Sequence, residues 1–525
     1  MAYNLDRFVP TQLAGYAVEL INGLRIAGLS CLLGVALPAW AQSISAEAMS
    51  AKDVLEDAAE AMGGLDLILG IDSLVMTGFG QTQSVGQDSS ASPMAPAKWT
   101  AQNDVVRSFD LNALRALQTH RQSVLYPFAA AFGYSWNPSS QIQEGIAALT
   151  HPLAALRAAL DSHTEIGPLR IEDDSIVIEL RIASGEPLWL GINQTTRLPA
   201  WVRWIGPNPA LGDVTYTTWF TGYSPFDGVK LPSGLTTRID WRDLVVDAFH
   251  VDGYQLDADL PRFPTSDGSS NSSDSGAPRV AVTRVADGVW DVRLDLDVPT
   301  FETNGAGIVE FEDHLLMFEA YGGEAYTLAL IDAANDLVPG KQVTELVVSH
   351  HHFDHSGGLR TAVALGLTII SKRENEAIFR EMVSRPAPNF PDLLARKPQP
   401  LKFVPVDEHL VLEDSTMRVD VYRVVGHLHM ADAVFAYVPE QRVLMQGDMF
   451  VIEWDWHWWG DSYLDSIEHF GLDPAIDIPV HGRVSTFEEV IENIESQVAS
   501  AREFCSKNES LGVSIAGCPV KYSRD

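Results

Sequence analysis

The run Val343-Thr344-Glu345-Leu346-Val347-Val348 reads as a buried strand, and it passes without a break into Ser349-His350-His351-His352-Phe353-Asp354-His355-Ser356-Gly357-Gly358. A buried strand that empties into a polar loop is where layered α/β folds place function. Neutral imidazole and carboxylate are ligands that suit zinc. His350 and His352 alternate onto one side of the loop, while Asp354 and His355 turn to another, so one ion takes the first pair and a second ion the other. Gly357-Gly358 then lets the chain fold tightly into the next helix.

The surrounding sequence alternates strands with helices. Asp287-Gly288 sits between apolar runs within Arg284 to Leu294, a hairpin signal. A strand at Leu315 to Glu319, a helix near Tyr326 to Asn335, a helix around Leu359 to Leu365 and a strand at Leu367 to Ser371 complete a layered α/β pattern. Later, Asp432 to Val438 reads as a strand whose hairpin partner, Arg442 to Gln446, ends at Gly447-Asp448. Ile476 to Val480 is a short strand that ends at His481-Gly482-Arg483, and Gly426-His427-Leu428-His429 lies upstream.

His-x-His-x-Asp-His followed by Gly-Gly resembles the signature of the metallo-β-lactamase superfamily, whose further ligands stand at the ends of later strands. The resemblance covers about Arg279 to Glu503 and implies an α/β fold, the αββα metallo-β-lactamase sandwich. It implies a first metal on His350, His352 and His429, a second on Asp354, His355 and His481, and Asp448 as the bridging aspartate. His429 is preferred to His427 for its distance from the strand that follows. His427 is then either a hydrogen-bond partner of a ligand or a surface residue, and His351, between two ligands, points away. The cofactor implied is two Zn2+, since iron-bearing relatives carry Glu at the place of His352; Mn or Fe remain alternatives. A cation lowers the pKa of bound water from about 15.7 to about 7, which makes a hydroxide between two zinc ions the expected nucleophile. Asp354 is the expected catalytic residue, holding the second metal and orienting or receiving a proton.

Charge narrows the partners. A formal net charge of −34 repels phosphate backbones and anionic membranes, because affinity for either rests on Lys and Arg. A small-molecule substrate is expected, with no nucleic acid and no stable membrane insertion; the oligomeric state stays open. Of the three cysteines, Cys31, Cys505 and Cys518, none forms a Cys-x-x-Cys pair, which excludes a cysteine-rich zinc or redox site. Cys505 and Cys518 can pair in an oxidising compartment or remain two thiols in a reducing one.

Residues 1–41 read as a signal peptide: Arg25 precedes an apolar run from Ile26 to Leu37, and Ala39-Trp40-Ala41 is a small-x-small cleavage pattern. Export to the periplasm or medium follows from it. Residues 265–278, nearly all Thr, Ser, Gly, Asp and Asn, read as a flexible linker. It separates an N-terminal domain, 42–264, from a catalytic domain, 279–503, with 504–525 as a tail.

The N-terminal domain opens with a helical pattern, Ala46 to Met62, stopped by Gly63-Gly64. Further helices are expected near Leu111 to His120 and Ile146 to Leu160. From about Ser175 the texture becomes strands: Ile176 to Ile182, Pro187 to Ile192, Ala200 to Ile205, Val214 to Tyr223, Leu235 to Trp241 and Leu244 to Val251. The expected fold is a mainly antiparallel β (α+β) domain, a curved sheet or open barrel. Thr196-Arg197-Leu198-Pro199 and Phe226-Asp227-Gly228-Val229-Lys230-Leu231-Pro232 loosely resemble the half-barrel of periplasmic lipoprotein carriers.

Directly after Asp448 comes Glu453-Trp454-Asp455-Trp456-His457-Trp458-Trp459. Trp454, Trp456 and Trp458 form either a buried edge strand or an aromatic wall beside the metals for an apolar or ring-bearing substrate. Tyr321, followed by Gly322-Gly323, is expected to face the same mouth. The leading function is a dinuclear zinc hydrolase acting on an ester, lactone, thioester or amide bond of a partly apolar substrate. The alternatives are a periplasmic carrier of a lipid-like ligand whose metal domain is structural, and a true β-lactamase.

Overall fold

The computed structural model describes residues 50–512 except 96, 126–136, 183, 184, 186, 264–277, 296–303, 428 and 453–459. The signal segment 1–41, nearly all of the linker, the Trp454, Trp456 and Trp458 segment and Cys518 lie outside the described residues. The described residues fall into one compact unit. Among the described residues no helix is long and apolar enough to cross a membrane.

Ser50 caps the first helix, Ala51–Met62, through a capping box with Asp53, and Gly63 at φ +150° ends it. This helix and a second, Pro152–Leu160, pack on an eleven-stranded antiparallel sheet. From one edge its strands run Asn137–Glu144, Arg115–Leu125, Trp99–Asp110 and Ser73–Gln83. They continue through Leu244–Leu256, Gly234–Ile239, Gly212–Thr221, Pro199–Asn208, Pro187–Asn193 and Ser175–Arg181 to Glu165–Glu172. The inward residues of alternate positions, Ile176, Ile178 and Leu180 with Leu188, Leu190 and Ile192, are all buried against the helices.

Two helix expectations are corrected. Leu111 to His120 is a turn followed by the strand Arg115–Leu125, which pairs with Trp99–Asp110 on one side and Asn137–Glu144 on the other. Ladder bonds on both edges override a helix-compatible local pattern. Ile146 to Leu160 is split into a short 3-10 turn, Gly145–Leu149, and a helix that begins at Pro152, with His151 as its cap. Proline is favoured at a first helical position and lacks the N–H that an unbroken helix needs there.

That cap is buried completely, its Nδ1 accepting the Leu153 N–H at 3.3 Å and its Nε2 lying 3.4 Å from the Tyr254 hydroxyl. Burial, reinforced by the charge of Arg107, pushes the His151 imidazole down to about 3 from 6.5. Between those values the unfolded chain binds a proton that the folded chain refuses, so stability falls as pH drops through that window. The expected loss is about 1.4 kcal/mol for each unit below about pH 6. Denaturant midpoints measured from pH 7 to pH 4 should fall less steeply, by that amount, in His151→Gln than in the natural protein; parallel slopes would refute the assignment.

C-terminal to the linker, a seven-stranded sheet runs Val280–Ala286, Val289–Leu294, Gly305–Glu310, Leu315–Phe318, Val343–Val347, Thr368–Lys372, Lys402–Val406. A six-stranded sheet runs His409–Glu413, Arg418–Arg423, Val434–Val438, Val443–Gln446, Ile476–Pro479, Ser485–Thr486. The sheets face each other through a core that includes Leu316, Phe318, Val347 and Ile370 from the first and Val419, Val434, Met445 and Ile478 from the second. Helices Glu324–Leu337, Leu359–Leu365 and Glu376–Ser384 cover the outside of the first sheet, and Gly460–Phe470 and Phe487–Ser510 that of the second. These four layers are the αββα sandwich.

The N-terminal sheet also docks on this domain. Leu211, Val214, Ile239 and Trp241 share one core with Leu359, Ile378 and Phe379. Arg385 donates to the carbonyls of Leu211 and Asp213 at 2.9 and 2.8 Å, and the Asp213 carboxylate accepts from the Asn389 backbone at 2.8 Å.

Candidate metal centre

Every expected ligand stands at a strand end on one rim of the sandwich. Val343–Val347 delivers the His350 to His355 loop, Val443–Gln446 delivers Asp448, and Ile476–Pro479 delivers His481. His429 precedes Val434–Val438. The ligand atoms of His350, His352, His429 and Asp448 lie within 4.8 Å of one another, and so do those of Asp354, His355, Asp448 and His481. Asp448 belongs to both groups: its Oδ2 is 2.8 Å from His429 Nε2, and its Oδ1 is 3.1 Å from His355 Nε2 and 3.3 Å from His481 Nε2.

His350 Nε2 and His352 Nδ1 are buried with no hydrogen-bond partner, as are both ring nitrogens of His351, which lies outside both groups. Leaving a buried polar atom unmatched costs roughly 1–3 kcal/mol, so such atoms call for a partner of another kind. Burial, followed by the charges of the neighbouring imidazoles, holds the His350 and His352 rings well below the usual histidine range, hence neutral. A neutral imidazole with a bare, buried nitrogen is the state a metal requires. In the other group burial favours neutral forms, but Asp448 and Asp354 outweigh it and raise His355. His355 and His481 in turn hold Asp354 below the ordinary carboxylate range. The donor set fits two divalent ions, one on each group.

His427 uses both ring nitrogens on backbone: Nε2 lies 3.2 Å from the Met449 carbonyl and Nδ1 accepts from the His429 N–H at 3.3 Å. It stands outside both groups. His351 is buried, and burial pushes it down to about 3. The Tyr321 ring packs on Tyr326 at 5.9 Å, within the apolar layer under the helices. Arg483 pairs with Glu489 at 3.3 Å. Cys505 is disulfide-bonded.

Sequence reading missed Glu319. It ends the strand Leu315–Phe318 at φ +91°, is fully buried, and takes the Ser349 N–H at 3.1 Å and the Ser349 hydroxyl at 2.5 Å. Its Oε2 also lies 3.1 Å from His355 Nδ1. A carboxylate only accepts, so His355 must carry its proton on Nδ1 and present Nε2 to the cluster. The Ser349 hydroxyl, having donated to Glu319, accepts from His350 Nδ1 at 2.8 Å, which leaves His350 Nε2 bare. One carboxylate thus sets the tautomer of a histidine in each group. Gly447 permits the approach, since a Cβ there would overlap Ser349 Oγ. The signal for Glu319 was an acid closing an otherwise apolar strand directly before Ala320-Tyr321-Gly322-Gly323.

Residues 305–475 match the family model of the metallo-beta-lactamase superfamily, and this part of the chain is a domain of that superfamily. No curated protein matches the chain. Among solved structures it is similar to DIM-1 metallo-beta-lactamase exposed to ceftazidime, with 13% identity over 43% of this chain and 100% of that one at a TM-score of 0.34. A metallo-beta-lactamase from Hirschia baltica is similar at 18% identity over 42% of this chain and 97% of that one, with a TM-score of 0.33. Another from Pontibacter korlensis has 16% identity over 42% and 99%, also at 0.33.

Proposed function

We propose that the protein is a hydrolase dependent on two zinc ions, acting on an ester, lactone, thioester or amide bond of a partly apolar small molecule. The observation that carries the reading is the pair of ligand groups sharing Asp448, with His350 Nε2 and His352 Nδ1 buried and unmatched. His350, His352, His429 and Asp448 hold one ion; Asp354, His355, Asp448 and His481 hold the other. Bound ions of this kind make water acidic enough to ionise near neutral pH and polarise the oxygen of the bond under attack.

The chain's own side chains do the rest. Asp354 is the ligand open to solvent, with 36% of its side chain exposed against 6% for Asp448. It is therefore the carboxylate that meets incoming water and substrate and accepts or releases a proton at its open face. Glu319 and Ser349 hold His355 and His350 in one tautomer. Export, read from residues 1–41, belongs to the same proposal.

The test is zinc content per chain together with turnover on a panel of chromogenic esters, lactones, thioesters and cephalosporins. Two equivalents and turnover of a panel member are expected, with Asp354→Ala folded but inactive. Full metal loading with no turnover on any member would favour the carrier reading, and cephalosporin turnover alone a β-lactamase.

A further inference from the structure

The hairpin strands Ser73–Gln83 and Trp99–Asp110 pair as far as Gln83 with Trp99, and the chain between them leaves the sheet. Ser84 N–H to Lys98 C=O, at 2.9 Å, closes its base. This excursion reaches the rim of the other domain. Phe353 N–H donates to the Gly86 carbonyl at 3.3 Å, Ala431 N–H to the Ser89 carbonyl at 2.8 Å, and Ala91 N–H to Asp432 Oδ2 at 2.9 Å. Gly86 sits at φ +70°, where a Cβ would overlap the Phe353 ring.

Two consecutive residues at its tip touch metal ligands. Gln87 Nε2 donates to Asp354 Oδ1 at 2.5 Å, and Lys98 Nζ donates to Gln87 Oε1 at 3.3 Å. A carboxylate only accepts and an ammonium only donates, so this order fixes which end of the amide faces Asp354. Next along, the Asp88 carbonyl lies 2.8 Å from His352 Nε2. A carbonyl also only accepts, so Nε2 carries the proton and Nδ1, the buried unmatched atom, keeps its lone pair.

We infer that the segment 84–91 of the N-terminal sheet, together with Lys98, is a built-in part of the metal centre, in which Gln87, oriented by Lys98, positions Asp354 and the Asp88 carbonyl positions His352. The inference rests on the two-ion reading. It makes the N-terminal half a positioning element that each ligand group needs, rather than a separate ligand carrier. Gln87 and Lys98 are positioning residues: they act on an ion through Asp354.

The test is cobalt(II) titration of the full-length, chelator-treated protein, followed by visible absorption and by bound-metal stoichiometry. Gln87→Leu should weaken the second ion by about 10- to 100-fold and leave the first in place. Lys98→Met, which keeps the amide but removes the group that orients it, should shift the same step in the same direction, and Lys98→Arg should restore it. Gly86→Val, which forces the whole loop off Phe353, should weaken both steps. Far-ultraviolet circular dichroism and the thermal midpoint without metal show whether each variant is folded; should Gln87→Leu not fold, the two Lys98 variants decide the outcome. Two cobalt ions bound with natural affinity by both Gln87→Leu and Lys98→Met would overturn the inference while leaving the two-ion reading intact. Failure of the natural protein to take up cobalt would overturn both.

Discussion

Asp448→Ala is expected to hold at most one zinc ion and to lose hydrolysis by about 10^3-fold or more. Asp448 is the one residue common to both ligand groups, touching His429 at 2.8 Å, His355 at 3.1 Å and His481 at 3.3 Å. Its two oxygens face different groups, Oδ2 the first and Oδ1 the second, so neither site is complete without it. The rate loss follows because neither ligand group keeps its full set of donors, so the ions that would acidify the attacking water and polarise the bond would be lost or misplaced. Asp448→Asn tests charge against shape. The amide keeps one oxygen and the same volume, yet removes the negative charge that two cations would share. Burial disfavours that charge, but His355 and His481 beside it hold Asp448 well below the usual carboxylate range. Elemental analysis gives the stoichiometry and initial rates give the loss. Two bound ions with near-natural turnover in Asp448→Ala would rule out a shared bridging role.

The second large effect is expected for Glu319→Gln, a change of one atom at a site with no access to solvent. Ser349 N–H pins an oxygen at the Oε1 position, so the amide nitrogen must sit where Oε2 was. There it donates to Ser349 Oγ and to His355 Nδ1, each of which must now accept. His355 then carries its proton on Nε2, the atom that faces the cluster. The Ser349 hydroxyl turns to donate to His350 Nδ1, and His350 Nε2 is protonated as well. One substitution therefore blocks a nitrogen in each group. Zinc affinity should fall by about 10- to 100-fold at each site, with the fold retained because the shape is unchanged. Nitrogen-15 spectra of the histidine rings read the tautomers directly. Unchanged tautomers with unchanged affinity would show that Glu319 is only a buried structural acid.

The two residues differ in how they enter the sequence. Asp448 was legible because it follows a strand and stands in a pattern of residue types at strand ends. Glu319 has no such pattern. Its importance comes from Ser349 and His355, thirty and thirty-six positions away, which arrive beside it through parallel pairing of Leu315–Phe318 with Val343–Val347. Leu111 to His120 failed for a related reason: its local pattern suits a helix, and strands on both sides decide otherwise.

Gln87, Asp88 and Lys98 were the least legible of all. Gln87 is 267 positions from Asp354 and lies beyond a linker that reads as a domain boundary. A Gln, an Asp and a Lys in a polar loop carry no chemical signature; only their docking against Phe353, Ala431 and Asp432 gives them one.

The amino-acid sequence by itself determined the kinds of candidate ligand, their order and the alternating α/β texture, because coordination chemistry and strand periodicity are both written in residue type and spacing. The tertiary structure alone decided which nitrogen of His350 and His352 is bare, and which nitrogen of His355 faces the cluster. It also decided that the N-terminal sheet reaches into the rim. Those outcomes depend on which donor meets which acceptor across hundreds of residues, and spacing along a chain holds no record of that.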